Sequence, residues 1–369
     1  MTAGLSKRRG SRYESVLIGG GLEPDEAPID DFAQRHGVAY DQIPEMRRAL
    51  DPRNDAIALV KLVARIRELR PDIVHTHTAK AGALGRIAAR IARVPLVVHT
   101  FHGHVFDGYF SRKRARFFKR TERGLARLSD AIVAISERQR EDLVTHYRIA
   151  PREKVHVVPL GLDLDRFLAV ERGSVSFREE LEIGSAPLVV SVGRLVPIKR
   201  FDLMIDAFDE LRKVRPEAHL AIAGDGEEHA KLSARAATSR HVHLVGLRRD
   251  LERIYGSANL FVLSSDNEGT PVAAIEALAS GLRVVATDVG GIGDFLSPDL
   301  GLRVPRGDAK QLAMAMLAGL EGPAPGPEGR ARIAAKFSHL RLIEDITELY
   351  DGLFERRPLR RTPISGSSA

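Results

Sequence analysis

Short apolar runs that alternate with helical patterns constrain this chain more than any other feature of its sequence. Tyr13–Ile18, Asp72–His75, Leu96–Thr100, Ala131–Ile135 and Val155–Val158 read as buried strands, with helical periodicity between most of them, notably over Ile57–Leu69 and Ala81–Ala92. A second series follows at Leu188–Val192, His219–Ala223, Val242–Val245, Leu260–Leu263 and Val284–Ala286, with helical patterns at 201–214, 228–237, 271–280 and 308–320. Such runs suit strands buried on both faces, and a helix between two of them supplies the crossover that parallel pairing needs. The alternation therefore predicts an α/β chain of two Rossmann-like, doubly wound parallel sheets facing a cleft. Pro159-Leu160-Gly161 punctuates the break, which gives an N-terminal domain over 1–158 and a C-terminal domain over 159–337. The Pro- and Gly-rich stretch 322–329 reads as a loop. A last amphipathic helix is expected over 338–355, then a disordered tail over 356–369.

The 369 residues suit two domains, and the 44% hydrophobic content is enough for two full cores. The chain has no cysteine, which excludes disulfides, thiolate catalysis and Cys-zinc sites. No signal peptide is read at its start, and no apolar run approaches the roughly 20 residues that span a bilayer. The expected location is cytoplasmic, with peripheral attachment at the inner face of a membrane left open. A net charge of +7 suits anionic ligands or an anionic surface. With 5% aromatics and no basic-aromatic interleaving, nucleic acid is not an expected partner.

The segment SSDNEGTPVAAIEALASG, residues 264–281, carries the densest chemistry. Glu268 precedes Gly269-Thr270-Pro271, Pro271 opens an apolar helix containing Glu276, and Gly281 closes it. The start of such a helix offers unpaired N–H groups and a positive dipole end, which suit a phosphate. The two carboxylates would grip hydroxyls on either side of it, as a nucleotide-sugar requires. Glu276 lies among Ala273, Ala274, Ile275, Ala277, Leu278 and Ala279, so it needs a partner. In open parallel sheets ligands bind beyond the carboxyl ends of strands. There stand Gly193-Arg194-Leu195-Val196-Pro197-Ile198-Lys199, whose two cations match a diphosphate, then the tight turn Gly224-Asp225-Gly226-Glu227, then Gly246-Leu247-Arg248, placed to pass under a nucleobase.

In this order the motifs GRLVPIK, GDGE, VGL and EGTPVAAIE resemble the donor half of glycosyltransferase family 4, which has the GT-B fold. The resemblance implies a retaining transferase that uses a UDP- or GDP-sugar without a metal or other cofactor. It implies that Arg194 and Lys199 hold the donor diphosphate, Glu276 the ribose and Glu268 the hydroxyls of the sugar. Backbone amides at Gly269, Thr270 and Val272 would add contacts. Thr270 stands where the family often has an aromatic residue, and Leu160-Gly161-Leu162-Asp163 replaces the usual Asn-Gly-Val-Asp.

Histidines crowd the strand ends of the first half: His75, His77, His99, His102 and His104. His-x-His can chelate, but no acidic or cysteine ligand completes a metal set, so no metal site is expected. In the family a His in the pattern His-Thr-x-His lies on the acceptor side, here His102. The stretch HTHTAKAGALGRIAAR resembles members acting in bacterial envelope polysaccharide assembly, which implies that His77, Lys80 and Gly82 line the acceptor side. A glycan or lipid-linked acceptor follows from the same resemblance. Asp163-Leu164-Asp165 has the form of a metal-nucleotide signature but lies at the hinge. Over Arg112–Leu128, Lys113, Arg116, Lys119, Arg120, Arg123 and Arg127 fall with Arg112 on one helical arc, and Phe117, Phe118, Thr121, Leu125 and Leu128 on the other. A basic face of this kind suits an anionic membrane. The family begins with a strand and a Gly-rich loop, whereas MTAGLSKRRGSRYESVLIGGG enters at the following helix, so a central strand of the first sheet is expected to be missing.

The catalytic set expected on this reading is His102, Arg194, Lys199 and Glu268. Donor contacts are expected also from Gly193, Gly224, Asp225, Leu247, Gly269, Thr270, Val272 and Glu276. Two other readings stay open: a GT-B nucleotide-binding protein with impaired catalysis, and a GT-B sugar epimerase.

Overall fold

A computed structural model describes residues 13–21, 37–47, 49–103 and 112–356. Within them the chain divides into two α/β units. One comprises the residues up to Ile135, then 140–161, then those from His339; the other comprises 136–139 and 162–338.

In the first unit, β1 (Val16–Gly20) pairs in parallel with β2 (Ala39–Ile43), and β3 (Ile73–His77), β4 (Leu96–Phe101), β5 (Ala131–Ala134) and β6 (Val155–Val157) form a parallel sheet in that order. Among the described residues, β1 pairs only with β2 and β3 only with β4, so the strands fall into two ladders. Ile18 of β1 and Val74 of β3 nevertheless share one apolar cluster.

Helix α1 (Pro52–Leu69) starts at Asp51, whose carboxylate accepts from the N–H groups of Arg53 and Asn54 at 3.1 and 3.2 Å. It buries Ala58, Leu62 and Ile66 against α2 (Ala79–Ile91) and Val97. The alternating side chains Leu96 and Val98 enter a different cluster, with Ile343, Ile346, Tyr350 and Leu353 of the last helix, α10 (His339–Arg356). That helix is therefore part of the first unit rather than a separate appendage.

The second unit holds one six-stranded parallel sheet in the order β12-β11-β10-β7-β8-β9. Its strands are β7 (Leu188–Val192), β8 (His219–Ala223), β9 (Val242–Leu244), β10 (Leu260–Leu263), β11 (Arg283–Thr287) and β12 (Gly301–Val304). Helices α4 (Phe201–Arg212), α5 (His229–Ala236), α6 (Leu251–Ser257), α7 (Val272–Ala279), α8 (Ala309–Glu321) and α9 (Pro327–Phe337) connect and cover it. One face packs Leu188, Val190, Phe261 and Val284 against Tyr255, Leu278 and Phe337; the other packs Val189, Leu220, Val262 and Val285 against Met204, Phe208 and Met316. The strand order reverses between β7 and β10, which opens the crevice where doubly wound sheets bind ligands.

Several expectations need correction. Strands β2 and β12 gave no apolar run; each is an edge strand with partly exposed side chains. Helix α9 begins inside the stretch read as loop, at Pro327, a residue suited to a first helical turn. The tail beyond Arg356 and His104 lie outside the described residues, as do the side chains of Arg112 and Lys113. Helix α3 (Arg112–Arg127) buries Ala115, Glu122, Leu125 and Ala126, whereas Phe117 is 65% exposed and Thr121 is exposed, so the buried stripe is rotated from the expected arc. Glu122 accounts for the rotation. It binds the fully buried Arg86 of α2 at 3.0 and 3.2 Å, while Arg86 Nε donates to the Gly82 carbonyl at 2.9 Å.

Removing one partner of a buried pair strands the other charge. Glu122→Ala should lower unfolding stability by about 3–5 kcal/mol, seen as a fall in the urea midpoint of the full chain. Replacing both partners, Arg86→Met with Glu122→Leu, should recover most of the loss. A single variant with an unchanged midpoint would contradict the pairing.

Candidate active site

The carboxyl ends of the second unit's strands are tied to one another through their loops. After β7, the Gly193 N–H donates to the Ala223 carbonyl at 3.0 Å and the Leu195 N–H to the Asp225 carbonyl at 2.9 Å. The Gly224 N–H then reaches the Gly246 carbonyl at 2.8 Å. Gly224 has φ +150°, and a Cβ there would stand 1.9 Å from the Gly193 carbonyl oxygen, so only glycine allows this approach. Asp225 is exposed and accepts from the Gly226 N–H at 2.8 Å, which shapes the turn. On the neighbouring loop Leu247 is 76% exposed, an apolar surface left open beside the strand end. Arg248 is instead held by Glu180 and Asp250.

Across the crevice, the loop after β10 locks onto the loop after β7. Ser264 Oγ donates to the carbonyls of Lys199 and Arg200 at 2.9 Å each, and the Asp266 N–H to the Ile198 carbonyl at 2.8 Å. Lys199 Nζ lies 2.6 Å from Glu268 Oε1, and Ser265 Oγ donates to the same oxygen at 2.6 Å. The predicted diphosphate ligand and the predicted sugar ligand are thus in direct contact. Arg194 is exposed, and its guanidinium makes no hydrogen bond or ion pair among the described residues, which leaves it available. Gly269 is anchored by the Gly291 N–H at 2.8 Å. Thr270 Oγ1 is buried without a partner, a hydroxyl in need of one.

Pro271 stands in extended backbone as the cap of α7, and the first-turn N–H groups of Val272 onward face away from the helix body. Glu276 lies in the middle of this helix. Burial pushes its pKa up to about 7; Arg166 and the Tyr255 hydroxyl oppose that shift, and Glu252 adds to it. Tyr255 is fully buried. Neither Tyr255 nor Ser265 carried a signal in the sequence: Tyr255 reaches Glu276 from another helix, and the bond from Ser265 to Glu268, three residues on, depends on how the loop between them folds.

In the first unit, His77 and His102 stand at the ends of β3 and β4 with Nδ1 and Nε2 2.9 Å apart. Burial lowers both pKa values, that of His77 to about 4, so the pair is neutral at pH 7. His75 is taken up by the Tyr350 hydroxyl and by Thr100, each at 2.6 Å, and His99 by Thr76 at 2.9 Å. Lys80 is turned to Asp55 and the Ala49 carbonyl, tying α2 to α1. Gly82 is buried where a Cβ would stand 2.5 Å from His99 Cε1, so packing alone requires a glycine there. Among the described residues no group of three or more His, Asp or Glu could hold a metal. The Asp163 carboxylate accepts from the Asp165 N–H at 3.3 Å at the start of a short helix, a turn contact. No described helix is long and apolar enough to cross a membrane.

Residues 8–166 match the family described as Glycosyltransferase Family 4, and residues 186–321 match Glycosyl transferases group 1. The chain is 30% identical to the UDP-Gal:alpha-D-GlcNAc-diphosphoundecaprenol alpha-1,3-galactosyltransferase of Escherichia coli over 277 residues, 72% of this chain and 70% of that one. It is 31% identical to a GDP-mannose-dependent alpha-mannosyltransferase of Mycobacterium tuberculosis over 316 residues, 82% and 78% of the two chains. In fold it is similar to Anabaena HepE in complex with UDP, with a TM-score of 0.76 over 92% of this chain and 100% of that one at 18% identity.

The setting of Glu276 is directly measurable. Its side-chain carbon-13 resonance should titrate near pH 7 rather than at the 4.5 of an ordinary glutamate. Tyr255→Phe removes a hydroxyl that favours the carboxylate, so the midpoint should move higher. An ordinary midpoint would mean that the carboxyl is solvated.

Proposed function

This chain belongs to glycosyltransferase family 4 and is a nucleotide-sugar glycosyltransferase with the GT-B fold, and we propose that it transfers with retention of the anomeric configuration to a hydroxyl of a glycan or lipid-linked acceptor in envelope polysaccharide or glycolipid synthesis. The observation that carries the reading is the convergence of Arg194, Lys199, Glu268, Glu276 and the start of α7 on the carboxyl edge of one parallel sheet. That set holds a cation for each half of a diphosphate and a carboxylate for each sugar beside it.

Arg194 and Lys199 grip the departing diphosphate as the bond to the anomeric carbon breaks and charge gathers on it. Glu268, adjacent to Lys199, accepts from hydroxyls of the donor sugar, and Glu276 accepts from the ribose. Leu247 lies under the base, with amides of Gly269, Thr270 and Val272 on phosphate or sugar. The acceptor oxygen approaches from the face the diphosphate leaves, its proton passing to the departing oxygen, while positive charge develops on the sugar. His102, held by His77, serves the acceptor side. Because two side-chain cations stand at the diphosphate, no divalent ion is needed. The relatives' names carry both a UDP- and a GDP-sugar, so the donor is one of these.

Turnover of the nucleotide-sugar tests this reading. Arg194→Ala should cost about 2–4 kcal/mol in kcat/KM, as for loss of one preorganised donor, and EDTA should leave turnover intact. Glu276→Gln should weaken binding of the free nucleotide in calorimetry. Nucleotide binding with neither transfer nor hydrolysis would replace the proposed activity with a binding role.

A lipid-linked acceptor calls for a membrane contact, and the exposed face of α3 supports one. Arg116 and Arg120 are exposed beside the exposed Phe117, a basic face with an aromatic at its edge. Each cation near an anionic surface contributes about 1 kcal/mol, screened within about 8 Å at physiological salt. Vesicle binding should rise with anionic lipid and fall with salt, and Arg116→Glu with Arg120→Glu should abolish it without changing nucleotide affinity. Equal binding to neutral vesicles would show a merely solvated face.

A further inference from the structure

The first unit carries a second basic concavity, at the sheet edge opposite His77 and His102. It is built from the last turn of α3, which leads into the start of β5, and from the segment that leads into the start of β6. Its volume is about 370 Å³, within the range of small-molecule sites. Four cations line it, Arg123, Arg127, Arg148 and Lys154, over a floor that includes Val144 and Ile149, and no carboxylate lines it.

The cations divide into two kinds. Arg123 donates to the Tyr147 carbonyl at 2.7 Å and to the Arg148 carbonyl at 3.0 Å, and Lys154 to the Ala126 carbonyl at 2.9 Å. Cations that bond the last carbonyls of a helix and its neighbouring turn are ordinary capping groups. Arg123 thereby brings positive charge to the concavity without losing it, because a carbonyl is uncharged, whereas the charge of Lys154 is partly offset by the nearby Asp130 carboxylate. The guanidiniums of Arg127 and Arg148 make no hydrogen bond or ion pair among the described residues, so capping does not account for them. Arg148 is moreover held at φ +51°, a left-handed conformation that costs a non-glycine residue energy. A concave surface with two committed cations, two uncommitted guanidiniums and an apolar floor suits an anion that accepts several hydrogen bonds and carries a carbon skeleton.

We infer that this concavity binds a phosphate-bearing ligand at a site separate from the donor nucleotide. Arg127 and Arg148 grip the phosphate by forked hydrogen bonds, Lys154 and Arg123 add fixed charge, and Val144 and Ile149 take the apolar part. The ligand is either a soluble phosphate ester or the headgroup of an anionic lipid, and the recognition chemistry is the same.

Calorimetry on the full chain tests this with three probes: inorganic pyrophosphate, dihexanoyl phosphatidate below its micellar concentration, and dihexanoyl phosphatidylcholine as the neutral control. Arg127→Glu with Arg148→Glu should weaken binding of the anionic probe at least tenfold while UDP binding and the circular dichroism spectrum stay unchanged. Arg194→Ala should do the reverse, losing the donor-site class and keeping this one, so failure here is distinguishable from failure at the donor site. If the reversed pair perturbs the spectrum, Arg127→Gln with Arg148→Gln takes its place. Binding of pyrophosphate and phosphatidate alike supports the site with a soluble phosphate as ligand. Binding of phosphatidate alone supports it with a headgroup as ligand. No saturable binding of either, or binding that survives both pairs of substitutions, overturns the site.

Discussion

All strands of the second unit's sheet run parallel, so their carboxyl ends lie on one edge, and the chemistry of that unit hangs from this constraint. Parallel pairing forces a crossover between strands, and the reversal of order between β7 and β10 sets two distant loops side by side. The contact of Lys199 with Glu268 is a product of that topology. So are the bonds from the Ser264 hydroxyl to the carbonyls of Lys199 and Arg200 and the ion pair of Arg200 with Asp266, which hold the two loops together. The loops that carry the functional groups thereby stay in place.

The two carboxylates of the site have different settings. Glu268 rests against the Lys199 ammonium and the Ser265 hydroxyl. Glu276 sits in an apolar helix, where burial raises its pKa and Tyr255 and Arg166 only partly offset the effect. A group poised in this way gains most when ligand hydroxyls arrive to donate to it. In the first unit burial works in the other sense, holding His77 and His102 neutral and so able to accept and donate at once.

The parts of the fold legible in the sequence were those where one residue type has one physical reason to be present. Leu188–Val192 and His219–Ala223 are apolar because both faces of the sheet are covered, and the structure bounds them as read. Edge strands have no such signature, so Ala39–Ile43 and Gly301–Val304 stayed hidden. Periodicity on α3 misplaced Phe117 because a buried glutamate outweighed it: the pull of Arg86 on Glu122 cannot be seen from one helix alone. The partner of Lys80 stayed hidden for the same reason, since Asp55 lies on another helix. At the candidate site Gly193, Arg194 and Gly224 stand out in the sequence because each follows a strand, and Glu276 because it is a carboxylate in an apolar helix. Tyr255 and Ser265, which contact the two carboxylates, do not.

The place of α10 has a consequence for how the molecule is made. Its residues Ile343, Ile346, Tyr350 and Leu353 complete the core over Leu96, Val98, Ala131 and Val133, yet they follow the whole second unit along the chain. A ribosome releases the first unit's strands early and their cover last. The second unit, with its core drawn from residues 162–338, can close in the meantime. The usual order of N-terminal domain first is inverted. Throughout synthesis of the intervening stretch, one face of the nascent first sheet stays uncovered and must be shielded by chaperones or held loosely until the final helix emerges.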